Sequence, residues 1–333
     1  VRAVVCTAWG APEALAVAEL AAPEPADGEV AIDVHACSAN FADLLMINGT
    51  YQTRPALPFV PGLEAAGRIA RAPAGGPFAV GDRVVALLWH GGYAERAVAA
   101  AAETFALPAG MSFATAAALA SVYTSADLAL RRTARLAAGE AVLVIGAGGV
   151  ALAAIQIAKL VGARPIALVS GPDRADLARA AGADHAICHT APDWRAAVDA
   201  AAGPAGVQVC VDPVGGPLFD PALSTLGWGG RYVIVGFAAG AVQAIPANRL
   251  LVKHRAALGC SLRYFRRFEP AALRASVAQL FAWHAGGQLA PRIAAVLPLA
   301  DTARGLRALA DRRAAGKIII AVRDPDEEPC HDP

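Results

Sequence analysis

Residues 141–161 read AVLVIGAGGVALAAIQIAKLV: an apolar run, a glycine-rich turn and a stretch of helical composition, one directly after another. The five residues 141–145 suit a parallel strand covered on both faces. Gly146, Gly148 and Ala151 then match the spacing G-x-G-x-x-G/A. The first glycine allows a tight turn, the second lets a pyrophosphate approach the backbone, and the small third residue lets helix pack on strand. Gly149 and Val150 open the helix, whose unpaired N–H groups carry roughly half a positive charge. An anion belongs at such a turn. In a chain with 32 glycines the spacing alone arises easily by chance. The strand before it, the helix after it and a second apolar run at 164–169 supply the context that predicts a dinucleotide-binding sheet.

The rest of the chain bounds what surrounds that sheet. Its 333 residues are enough for two domains, and 29 basic against 28 acidic residues leave a net charge of +1 with no basic stripe. Nucleic acid is therefore not an expected partner, and a small molecule is. No stretch approaches the roughly 18 uninterrupted apolar residues of a membrane span, so no membrane partner is expected. The first residues, VRAVVCTAWG, run straight into strand-like sequence without a secretory signal, which predicts a cytoplasmic protein. The six cysteines (Cys6, Cys37, Cys188, Cys210, Cys260, Cys330) form no C-x-x-C pair and read as reduced thiols.

Along the chain, short β-type runs (29–35, 67–70, 84–88) separated by Pro and Gly clusters (55–62, 73–81) predict a small β-barrel in the first third. Ser112 is placed to cap a helix at 113–119, and 123–132 continues helically. From Glu140, strands at 141–145, 164–169, 185–188, 207–211 and 231–235 alternate with helices, the pattern of a doubly wound α/β sheet. Beyond Gly259, a helix at 270–284, a strand at 293–296, a helix at 302–313 and a strand at 318–322 form an α+β segment that returns to the first domain. The expected division is thus 1–120 with 259–333, enclosing a nucleotide-binding domain at 121–258. The closing RDPDEEPCHDP predicts a disordered tail.

An NAD-selective sheet carries an acid at the end of its second strand, about 20 residues past the glycine turn. Here that strand ends in Val169, Ser170 and Gly171, with Arg174 four residues after the serine, a hydroxyl and a cation suited to a 2′-phosphate. NADPH is the expected cofactor. The alternative keeps Asp173 as cap of the next helix and Arg174 as a solvated first-turn residue. Gly236 and Phe237 follow the fifth strand, where the nicotinamide crevice lies in such sheets.

Three further segments, ANFADLLMINGTY (39–51), LPFVPGLEAAG (57–67) and GGYAE (91–95), with GRYVIVGF (230–237) and AGKIII (315–320), resemble the zinc-independent, zeta-crystallin-like NADPH:quinone oxidoreductases of the medium-chain dehydrogenase/reductase superfamily. The motifs occur in family order over nearly the whole chain. The resemblance implies a GroES-like β-barrel catalytic domain joined to a Rossmann domain, and a homodimer formed through a sheet edge near 257–262. Zinc-dependent members of the superfamily carry a cysteine where Asn40 stands and a histidine where Leu63 stands, so no metal is expected. Cys37 reads as a core thiol. Two departures stand out. The family's A-A-G-G-V-G turn is one residue tighter here and ends in Ala151, and Ser125 replaces the threonine that the family places near the nicotinamide.

Without a metal, the implied chemistry is hydride delivery from NADPH to an already electrophilic carbon, in a quinone or an α,β-unsaturated carbonyl. Asn40, as an amide donor or a loop brace, and Tyr51, as a donor or a packing wall, are the candidate catalytic residues. Asp43 reads as a brace. An enoyl-thioester reductase, for which the basic residues Arg249, Lys253 and Arg255 offer a coenzyme A phosphate site, and an NADPH-binding structural or regulatory protein are the alternatives.

Overall fold

The computed structural model describes residues 1–323; the last ten residues, with Cys330 and all but the first residue of the expected disordered tail, lie outside it. The chain divides into two units. Unit 1 comprises Val1–Ser121 and the segment from Pro291 onward, and unit 2 is Val122–Ala290.

In chain order, unit 1 begins with β1 (Arg2–Val5), β2 (Ala16–Glu19), β3 (Glu29–Ala39), α1 (Phe41–Ile47), β4 (Glu64–Arg71), β5 (Arg83–Leu87), β6 (Arg96–Ala100), β7 (Thr104–Ala106) and α2 (Phe113–Ala120). Unit 2 holds α3 (Val122–Asp127), β8 (Ala141–Ile145), α4 (Gly149–Leu160), β9 (Arg164–Val169), α5 (Pro172–Ala180), β10 (His185–Cys188), α6 (Trp194–Ala202), β11 (Val207–Asp212), α7 (Phe219–Thr225), β12 (Leu226–Ile234), α8 (Ala247–Leu251), β13 (Ala256–Gly259), α9 (Leu262–Phe268) and α10 (Pro270–Ala285). Unit 1 resumes with β14 (Ile293–Pro298), α11 (Thr302–Ala310) and β15 (Lys317–Ala321).

Unit 2 is the doubly wound sheet. Its six strands run in the order β10-β9-β8-β11-β12-β13, every pairing parallel. The order reverses between β8 and β11, which places the ligand crevice at their carboxyl ends. All five residues of β8 are buried, as its unbroken apolar composition requires. Helix α3 runs on into a single π-type turn, Leu128–Thr133, a local widening that the apolar pattern did not signal.

Unit 1 is built on a seven-stranded sheet in the order β14-β15-β3-β4-β5-β7, with β6 also on β3. Val30, Ile32, Val34, Ile69, Val84 and Ile320 are among the residues of its core. Ser112 caps α2 as expected, its Oγ accepting the Thr115 N–H at 3.1 Å. The run Phe113–Thr133 is long and apolar enough to cross a membrane by composition, yet 78% of an apolar 18-residue window within it is buried within the protein.

One boundary falls elsewhere than the sequence predicts. The chain returns to unit 1 at Pro291, not 259, because α9 and α10 stay on unit 2. Glu269 pairs with Arg132 there, and Gln156 on α4 receives the Ala290 N–H at 3.3 Å while donating to the Tyr123 hydroxyl at 3.0 Å. Helix composition alone does not say which sheet a helix covers.

Candidate active site

The carboxyl ends of the unit 2 strands gather the predicted nucleotide residues other than Ser125. Gly146 leaves β8 at φ +93°, a conformation that favours glycine, and donates its N–H to the Leu168 carbonyl at 2.8 Å. Gly148 is the N-cap of α4, extended and with no side chain on the helix N–H groups. A Cβ placed on Gly148 meets no atom within 4 Å. The turn is therefore an open cradle of backbone donors at a helix start, a fit for the diphosphate of a dinucleotide. Val150 lies half-buried in the first turn of the same helix.

Ser170 is exposed just past β9, and Arg174 sits half-buried in the first turn of α5. The cap of that helix is Gly171 with Pro172 behind it, so Asp173 is a first-turn acid and not the expected cap. Proline at the first helical position has no N–H to satisfy and a φ preset for the helix, which helps start it at Pro172. Ser125 lies half-buried on α3.

The neighbouring strand end is held by a residue that the sequence reading passed over. Asp212, the last residue of β11 and fully buried, accepts the N–H groups of Val214 and Gly215 at 2.8 Å each and the Tyr232 hydroxyl at 2.7 Å. This fixes a loop in which Gly215 and Gly216 both take positive φ. The loop brings Val214 within 3.2 Å of the Cβ position of Gly146, and Phe237 within 3.3 Å of that of Gly215. Gly236 lies beside the same loop, its Cβ position 3.2 Å from the Pro213 carbonyl. The glycine turn, Gly236 and Phe237 thus share one crest. The one available signal was an acid ending a mostly apolar strand, followed by P-V-G-G.

Unit 1 holds a buried polar cluster at the end of β3. Asn40, 6% exposed, is the N-cap of α1, and its backbone N–H donates to Asp43 Oδ2 at 2.9 Å. Asp43 also receives the Gly62 N–H at 3.2 Å and the Tyr93 hydroxyl at 2.7 Å. It is the loop brace the sequence suggested. The Asn40 amide is itself committed on both sides. Its Oδ1 accepts from Lys317 Nζ at 2.7 Å, and its Nδ2 donates to Glu64 Oε1 at 2.8 Å and to the Ser38 carbonyl at 3.2 Å. Ser38 Oγ donates to the same Glu64 oxygen. To donate to a substrate oxygen, Asn40 must give up one of these bonds.

Burial dominates the electrostatics. It raises the Asp43 carboxyl to about 7, with nearby Glu64 adding to the rise and the Tyr93 and Asn40 donors opposing it. Burial also raises Glu64 and lowers Lys317, each countered by the charge of the other. Cys37 is a buried core thiol, its pKa pushed up by desolvation.

Tyr51 follows the turn after α1, half-buried and packed against the barrel core. In the zinc-ligand positions of the superfamily, Leu63 has no donor atom and the Asn40 oxygen already takes an ammonium hydrogen. That donor set does not suit zinc. Arg249 is bound to Asp220 and Ser224, and Arg255 to the Ser224 and Leu226 carbonyls, so two of the three basic residues near the end of the sheet are internally engaged, while Lys253 is exposed. Sequence reading missed Glu64, Tyr93 and Lys317 as members of the cluster, because each is a lone polar letter in an apolar or glycine-rich stretch.

Two family descriptions match the chain: "Alcohol dehydrogenase GroES-like domain" over residues 26–118 and "Zinc-binding dehydrogenase" over residues 149–278. The quinone oxidoreductase-like protein 2 of Mus musculus is 33% identical over 325 residues, 97% of this chain and 92% of its own length. Among solved structures, the quinone oxidoreductase of Thermus thermophilus, also determined with NADPH, is 33% identical with a TM-score of 0.84, covering 97% of this chain and all of its own. A mycobacterial protein determined as an NADPH complex reaches 0.90 at 30% identity, with 97% and 100% covered. With the barrel, the doubly wound sheet and the glycine turn in family order, the chain belongs to the quinone oxidoreductases of the medium-chain dehydrogenase/reductase superfamily, NAD(P)-dependent oxidoreductases.

Proposed function

We propose that this protein is an NADPH-dependent reductase that delivers hydride, without zinc, to a quinone or an α,β-unsaturated carbonyl. The observation that carries the reading is the pair Asn40 and Leu63: an amide held between Lys317 and Glu64, and a hydrocarbon side chain packed on the unit 1 core. Such a site offers hydrogen bonds and no Lewis acid, so the substrate must bring its own electrophilic carbon. When bound, NADPH supplies the hydride.

The residues have separate tasks. Gly146, Gly148, Gly149 and Val150 present backbone donors to the diphosphate. Ser170 and Arg174 meet the 2′-phosphate, at a strand end that carries no acid to favour NADH. Gly236, Phe237 and Ser125 border the nicotinamide, while Asn40 and Tyr51 serve the substrate oxygen as charge builds on it. The relatives determined with NADPH support the cofactor assignment.

We place the protein in the cytoplasm, where the described free thiols stay reduced. We also propose a homodimer along β13, the outer strand of the unit 2 sheet. The exposed Trp228, Leu251 and Val252 support a surface that a second copy covers.

The test follows NADPH oxidation with a panel of quinones, simple enones and a crotonyl thioester. Turnover of quinones or enones is expected; turnover of none, with NADPH still bound, overturns the reading. Arg174→Ala should weaken NADPH about tenfold and leave NADH unchanged. An unchanged preference refutes the role of Arg174.

A further inference from the structure

Lys317 comes from the last strand of unit 1, 277 positions from Asn40 in sequence, yet its ammonium lies 2.7 Å from the Asn40 amide oxygen. The register explains the meeting. β15 pairs antiparallel with β3, Ile318 opposite Ala39, so Lys317 stands one step beyond that pair at the level of Asn40. The ammonium also donates to the Ala39 carbonyl at 3.1 Å, and the residue is only 5% exposed. On the other side of the amide, Glu64 is fully buried and its Oε2 has no partner. The arrangement is a cation, an amide and a carboxylate in line, with the amide oxygen toward the cation and its hydrogens toward the anion.

An asparagine amide can be turned over with little change in shape, so its donor and acceptor ends must be assigned by what surrounds it. Ser38 offers Asn40 a carbonyl, and Glu64 as a carboxylate can only accept. Lys317 can only donate. Together they permit one orientation. Without Lys317, Glu64 loses the cation that favours its charge and, once protonated, can donate to a reversed amide, which leaves the Ser38 carbonyl as the main remaining bias toward the original orientation.

We propose that Lys317 is the positioning residue of the site: it locks the Asn40 amide with its oxygen toward the ammonium and its hydrogens on the Glu64 and Ser38 side, so that a hydrogen, once released from one of those bonds, is presented to the oxygen of the substrate. This rests on the function proposed above for Asn40. Among the described residues, Cys37, Asp43 and Tyr93 are the other ionisable groups that act on the cluster.

Lys317→Met is expected to lower kcat with a quinone by about 10- to 100-fold, the scale of a misplaced reacting group, while the Kd for NADPH and the KM for quinone stay near their wild-type values. Glu64→Gln combined with Lys317→Met removes both buried charges. It should regain the thermal stability lost in Lys317→Met but not kcat. If the single variant does not fold, the double variant is compared with Glu64→Gln alone, and the same loss of kcat is expected. Recovery of kcat together with stability reduces Lys317 to charge balance and overturns the proposal.

A second readout needs no turnover. In asparagine-15N-labelled protein the Asn40 side-chain pair, identified by its loss in Asn40→Asp, should shift and lose exchange protection in the double variant relative to Glu64→Gln. An unmoved pair overturns the proposal even in an active enzyme. A wild-type protein that binds NADPH and reduces nothing sinks the proposed function, and the amide resonances still decide the question of Lys317.

Discussion

Asp43 shows how much a single buried carboxyl does in this fold. It ties the α1 cap, the Gly62 backbone and the Tyr93 hydroxyl into one knot, and burial raises it to about 7. The unfolded chain releases this proton in the usual carboxylate range, whereas the folded chain keeps it until about pH 7. The fold therefore binds more protons across that window and loses stability as pH rises through it. Tyr93 works against the rise, because its hydroxyl favours the charged form. Tyr93→Phe should then cost about 1–3 kcal/mol, more at pH 8 than at pH 5, in urea unfolding at the two pH values. Equal losses would show that the hydroxyl does not act through Asp43.

At the scale of elements, the strand, turn and helix at 141–160 were legible because each obeys a local rule. A doubly covered strand is apolar throughout, a tight turn needs glycine, and a helix needs small residues where it meets the sheet. Ser112 was legible as a cap for the same reason. The knot of Glu64, Lys317 and Asn40 was not, since it depends on the register of β3 against β4 and β15, which no local pattern encodes. The return at Pro291 escaped likewise, because α10 is helical whichever unit it covers. The two glycines of the turn make separable predictions. Gly146→Ala forces a side chain onto φ +93° and should cost about 1–3 kcal/mol in the protein without nucleotide. Gly148→Ala enters open space and should leave stability within about 0.5 kcal/mol, yet weaken NADPH at least about tenfold by filling the cradle. Thermal unfolding and a fluorescence titration measure the two. Unchanged affinity in Gly148→Ala would place the diphosphate elsewhere.

For the whole molecule, the decisive fact is that unit 2 is one continuous segment while unit 1 is assembled from two. A fragment spanning 122–290 carries its complete sheet and the glycine turn, and is expected to unfold cooperatively and to bind NADPH without reducing any substrate. A chain ended at residue 290 should keep that unit, but its β3 has no β15 beside it and its Glu64 no Lys317. Hydrogen exchange should then show the Ala36–Ala39 end of β3 less protected and the β8–α4 region protected. Full protection of β3 in the shortened chain would mean that the barrel does not depend on its closing strand.

The same pairing of β15 with β3 sets a timetable for synthesis. The first strands of the barrel leave the ribosome well before their last partner, which is separated from them by the whole of unit 2. At roughly 5–20 residues per second, the roughly 280 residues between β3 and β15 correspond to about 14–56 s during which β3 lacks one neighbour. An unpaired strand edge is an invitation to other strands. A nascent chain of this protein can thus complete its nucleotide-binding unit while its barrel is still a client for chaperones, and the lysine that reaches Asn40 arrives only with the closing strand.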